Sequence, residues 1–236
     1  MKNGILYLIP SVITEDNIED QIPSGHLNYI NQIDEFAVEN LRTARRYLRS
    51  IGFTKDFDEM VFHVVDKRTD DTTMEKIITS LIQGKNIGLL SEAGLPCVAD
   101  PGAKLVFNAH EKDISVFPLS GPSSIFLALM TSGFNGQSFT FHGYLPIDKN
   151  QLTQKIKKIE EESYKNGYSQ LFMETPYRNM QMLDSLLKTC KSTTYLSIAA
   201  NILSTNQYLK TKSIEQWKKS KLPELHKKPC VFILSK

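Results

Sequence analysis

Apolar positions follow two rhythms along this chain. Residues 5–9 form a short apolar run that stops at Pro10, as a buried strand does. Residues 35–39 and 61–65 read as further strands, and between them residues 41–51 read as a helix closed by Gly52. Met74, Ile77, Ile78, Leu81 and Ile82 fall at helical spacing, with Thr72 and Glu75 predicted as a capping box and Gly84 as the stop. A strand over 87–90, a helix over 103–112 and a strand over 114–117 continue the alternation, which predicts a mostly parallel sheet covered by helices. The pattern then changes. Residues 118–123 are rich in turn formers and 124–132 form an apolar helix. Strands at 139–142, 170–173, 195–199 and 231–234 are interspersed with helices over 150–165 and 178–188. The expectation is an α/β protein of two α/β domains, residues 1–118 and 119–236.

Composition narrows the class. Of 236 residues, 41% are hydrophobic and 23% charged, which is globular usage rather than disorder. No apolar run approaches the ~20 residues of a membrane helix, and the five apolar residues before Pro10 are too few for a secretory signal. Cys97, Cys190 and Cys230 are too few and too scattered for a disulfide framework or a zinc site. A soluble, cytoplasmic protein without membrane or metal is expected. The net charge is +2, yet residues 210–236 carry eight lysines against Glu215 and Glu224. That stretch reads either as a solvated edge or as a contact for a polyanion.

Three loops follow predicted strands and combine Gly, Pro and Ser: 9–11, 91–96 with its continuation 100–102, and 120–124. At the carboxyl ends of a parallel sheet such loops let a ligand approach the main chain. No G-x-x-x-x-G-K-[ST] loop, G-x-G-x-x-G turn, G-x-S-x-G elbow or metal-spaced histidine set occurs. Arg42, Arg45, Arg46 and Arg49 share one face of the 41–51 helix. They read as a phosphate-binding stripe, or as a solvated face neutralised by Asp56, Asp58 or Glu59.

These segments resemble the tetrapyrrole methylase superfamily of S-adenosylmethionine-dependent methyltransferases, and within it the small-subunit ribosomal RNA cytidine 2′-O-methyltransferases. Residues 6–11 (LYLIPS) resemble L-Y-[LV]-[VI]-P-T, and residues 38–42 (VENLR) stand for A-E-D-T-R. Residues 90–96 (LSEAGLP) with 99–102 (ADPG) resemble V-S-D-A-G-T-P and S-D-P-G. Residues 121–124 (GPSS), 141–146 (FHGYLP) and 174–178 (ETPYR) resemble P-G-P-S-A, F-x-G-F-L-P and E-S-P-H-R. The resemblance implies S-adenosylmethionine held in a cleft between two α/β domains of a homodimer. Its contacts would be Pro10, Ser91, Glu92, Ala93, Gly94, Pro96, Ser123, Ser124 and the backbone near Phe172, Met173 and Ala199.

The resemblance also implies an RNA substrate, with the arginine stripe holding phosphates and Glu39 either accepting the ribose proton or forming a structural ion pair with an arginine. On this reading, exchanging Arg45 and Arg46 for glutamate weakens RNA binding. Three departures stand out. The opening loop 10–16 lacks the family's glycine and asparagine, Asn40 replaces an acid, and residues 199–204 (AANILS) stand where the family has A-R-E-[LI]-T-K. They leave open a tetrapyrrole or other small-molecule acceptor, or a binder without turnover.

Overall fold

A computed structural model describes residues 2–236. The chain divides into two compact units, residues 1–123 and 124–236.

The first unit contains β1 (Ile5–Ile9), α1 (Ile18–Gln21), α2 (His26–Ile30), β2 (Glu35–Val38), α3 (Leu41–Ser50), β3 (Val61–Val64), α4 (Asp71–Ile82), β4 (Ile87–Leu90), α5 (Ala103–Glu111) and β5 (Ser115–Pro118). Its sheet has the order β3-β2-β4-β1-β5, and every pairing is parallel. The inner strands are buried on both faces, which explains why they read as continuous apolar runs rather than alternating ones. On one face α4 buries Met74, Ile77, Ile78 and Leu81, each worth about 1.5–3 kcal/mol of transfer free energy. Its start differs from the expected capping box. Asp70 is the N-cap and its carboxylate accepts from Thr73 N at 2.9 Å. An aspartate one residue before the first turn satisfies a free N–H directly, so Thr72 and Glu75 lie inside the helix.

The second unit contains α6 (Ser124–Ser132), β6 (Phe139–Tyr144), α7 (Lys149–Asn166), β7 (Ser169–Glu174), α8 (Asn179–Thr189), β8 (Tyr195–Ala200), β9 (Tyr208–Ser213), α9 (Ile214–Lys218) and β10 (Cys230–Ser235). The sheet order is β6-β7-β10-β8-β9, with only β6 and β7 parallel. The lysine-rich end of the sequence is therefore not a tail. It supplies the edge strand β9, the short α9 with a Ser213–Gln216 capping box, and the fully buried β10 in the middle of the sheet. Trp217 of α9 has no exposed surface and donates from Nε1 to Leu196 O at 2.9 Å, which ties α9 down onto the strands.

Candidate functional site

Parallel pairing puts the carboxyl ends of β2, β4, β1 and β5 side by side on one edge of the first sheet. The sequence places its glycine-, proline- and serine-rich loops just there, and the structure joins them. Ser11 and Gly94 form a two-way backbone bridge, Ser11 N to Gly94 O at 2.8 Å and Gly94 N to Ser11 O at 3.1 Å. Ser11 Oγ donates to Ser91 O at 2.7 Å, and Ser91 Oγ to Gly94 O at 3.1 Å. Both serine hydroxyls are thus used to fix the loops. Gly94 has φ +73°, a left-handed backbone that favours glycine. The loop after β5 closes on Pro10: a Cβ on Gly121 would lie 2.2 Å from the proline ring. Only glycine lets these two chains pass so closely.

Beside this junction lies a cavity of about 420 Å³, lined by Ser11 to Glu15 and Ile18 on one side, Thr43, Arg46, Tyr47 and Ser50 of α3 on another, and Glu92 and Ala93 below. Such a volume is in the range of small-ligand sites. Tyr47 is buried and donates to Pro10 O at 2.7 Å, and burial raises its phenol above the ordinary value. Thr43 Oγ1 donates to Glu92 Oε1 at 2.5 Å. Neither Thr43 nor Tyr47 stood out in the sequence, because the arginine run around them carried the stronger signal. Their spacing of four on the helix was the available clue.

The electrostatics of this edge are acidic. Burial pushes the Asp100 carboxyl up to about 6, reinforced by Glu39 and Glu92 and opposed by Lys67. Burial also raises Glu39, with Glu92 adding to the rise. The charges facing Glu39 are Glu92, Asp66 and Lys67; no arginine is among them, so the structural ion pair with an arginine is not formed. Burial beside Asp100 pushes the Cys97 thiol up to about 11, leaving it protonated and unreactive at neutral pH.

The arginine stripe is not a uniform phosphate surface. Arg45 lies over Phe57 and Phe62 at 5.4 and 5.1 Å, and Arg49 over Phe57 at 4.0 Å while donating to Phe53 O at 2.6 Å. Both are packing groups. Arg46 pairs with Glu15 at 2.8 Å across solvent, which leaves Arg42 as the member with least engagement. Glu15 neutralises Arg46, while Arg45 and Arg49 rest on aromatic faces rather than pairing with Asp56, Asp58 or Glu59.

Of the remaining expected cofactor contacts, Pro96 and Ser123 are buried in the first unit and Ser124 begins α6 in the second. Phe172 is fully buried, stacked 5.8 Å from Phe232. The β6 register shifts between Phe141 and Tyr144, so Phe172 has no partner in that ladder and Met173 follows at the strand's end. Bulges of this kind often neighbour functional sites. Ala199, in contrast, is paired to Val231 on one side and Leu209 on the other. It offers a ligand no free backbone, a correction to the expectation that it would. The segment beyond it folds into its own turn: Asn201 Nδ2 and Ser204 Oγ both donate to Asn206 Oδ1, at 2.8 and 2.6 Å.

No family model matches the chain. Its fold is similar to a crystal structure of the methyltransferase CobJ, with a TM-score of 0.62 at 13% identity, covering 99% of this chain and 94% of that one. Two α/β units with this topology define a tetrapyrrole methylase fold. Among curated proteins the chain is 32% identical over 184 residues to the ribosomal RNA small subunit methyltransferase I of Halalkalibacterium halodurans, matching 78% of this chain and 60% of that protein. The proteins of the same name from Haemophilus influenzae and Buchnera aphidicola subsp. Schizaphis graminum are 29% and 26% identical. They match 91% and 99% of this chain and 72% and 79% of their own lengths. The chain is a divergent homologue of proteins named ribosomal RNA small subunit methyltransferase I, and it spans about three fifths of the length of the Halalkalibacterium halodurans protein.

Proposed function

We propose that the protein is an S-adenosylmethionine-dependent methyltransferase that modifies a ribose 2′-hydroxyl of small-subunit ribosomal RNA, working in the cytoplasm as a homodimer. The observation that carries this reading is the set of loops joined at the edge of the first sheet, in a chain related to proteins named for that RNA.

The residues present suit the cofactor. Glycine at 94 and 121 lets these loops close on one another, and Glu92 and Asp100 present carboxylates to a cationic sulfonium and a ribose diol. On this reading Pro10, Ser91, Glu92, Ala93, Gly94, Pro96 and Ser123 of the first unit hold it. Bound there, it would supply an electrophilic methyl group. Alignment of the acceptor oxygen can contribute about 7–11 kcal/mol. Glu39, with its raised carboxyl, accepts the hydroxyl proton, an effect of roughly 10²–10⁴-fold.

Labelled methyl transfer to small-subunit RNA, followed by digestion to nucleosides, tests the reading. Label in a 2′-O-methyl nucleoside is expected, and Glu39→Gln is expected to lower kcat at least 100-fold with cofactor affinity unchanged. Label confined to bases, or an unaffected Glu39→Gln rate, contradicts it. The self-contained 201–207 turn, in place of the family's charged segment, favours a second reading, a binder without turnover. Cofactor binding without transfer to RNA or tetrapyrrole would support that alternative.

A further inference from the structure

In the second unit the loop before β10 is pinned to the turn after β7. Asn179, fully buried, donates from Nδ2 to Lys228 O at 2.6 Å, and Lys227 N donates to Pro176 O at 3.0 Å. The pinning carries Tyr177 and His226 into edge contact, their ring centroids 5.8 Å apart and the planes at 75°. Tyr177 is nevertheless 68% exposed. The ring thus rests against one neighbour while most of its surface stays in water.

The charges around it are mixed, with a small positive excess. Glu174 is already paired with Arg178 at 3.1 Å, and Glu224 accepts from His226 N at 2.8 Å. Lys227 and Lys228 have no carboxylate partner among the described residues. An aromatic face flanked by unpaired cations is the arrangement that binds single-stranded nucleic acid, the ring stacking a base and the ammonium groups meeting phosphates. We infer that Tyr177, His226, Lys227 and Lys228 form a docking platform for a single-stranded segment of RNA. The platform takes over the phosphate contacts that the sequence assigns to Arg45 and Arg49, which the structure uses against phenylalanine rings. This inference rests on the RNA-methylating reading and adds to it where the RNA is held.

Fluorescence anisotropy of the intact protein with a labelled single-stranded oligoribonucleotide, over a range of salt, tests it. Tyr177→Ala is expected to weaken binding about tenfold with the salt slope unchanged, while Tyr177→Phe, which keeps the ring, binds as the parent does. Lys227→Gln with Lys228→Gln is expected to reduce the slope of log K against log salt by about 1.4, or ~0.7 for each phosphate no longer neutralised. Affinity for S-adenosylhomocysteine is expected to be the same in all. RNA binding by the parent that neither set of variants alters overturns the platform alone. A parent that binds S-adenosylhomocysteine but no RNA even at low salt overturns the RNA reading and the platform with it.

Discussion

Asp100 shows what the acidic edge imposes on a single residue. Its carboxyl ionises at about 6 in the folded chain against an ordinary 3.8, because burial and the charges of Glu39 and Glu92 all oppose ionisation. Between those values the folded state holds a proton that the unfolded state releases. Stability from this group is therefore present below pH 4 and is lost as pH rises through 6. Asp100→Asn is expected to be more stable than the parent at pH 7.5 and to match it at pH 3.5. Screening by solvent at a half-buried site reduces the effect to about 1 kcal/mol, or ~2–4 °C in Tm for a chain of this size. Thermal melts at the two pH values check this, and an Asp100→Asn variant less stable at pH 7.5 would refute it. The residue lay within a loop the sequence singled out, yet its partners Glu39 and Glu92 lie just beyond the ends of β2 and β4, brought together only by strand order.

Among the elements, α3 separates what periodicity reveals from what it hides. Spacing alone predicts that Arg42, Arg45, Arg46 and Arg49 share a face, and they do. Their partners Phe53, Phe57 and Phe62 lie beyond the helix in an irregular segment and an edge strand, where no helical period reports them. Arg45→Ala is expected to destabilise the protein by about 1–2 kcal/mol, since its guanidinium covers two rings. RNA affinity and its salt dependence are expected to stay the same. A stable variant with weakened RNA binding would restore the phosphate stripe. Elsewhere β1, β4 and α4 were legible because long or fully buried apolar patterns survive in sequence. The short α1 and α2, with four and five residues, complete too few turns to show a period. β9 escaped because its half-buried residues alternate weakly between two lysines.

For the molecule as a whole, the proposed contacts gather at strand ends. The first unit offers loops locked to one another by Ser11, Ser91 and Gly94, and the second offers a bulge in β6 beside the end of β7 and an exposed aromatic–lysine surface. The loops were readable because glycine, proline and serine at the ends of parallel strands have few other reasons to recur. The platform was not, because Tyr177 and His226 are far apart in sequence. The lysines of 210–236 gave the charge without its aromatic partner.

The central claim is that these loops hold S-adenosylmethionine. Calorimetric titration of the purified protein with S-adenosylmethionine and S-adenosylhomocysteine tests it most directly. Saturable binding of either in the micromolar range is predicted, and an absence of heat for both at millimolar concentration would contradict the account.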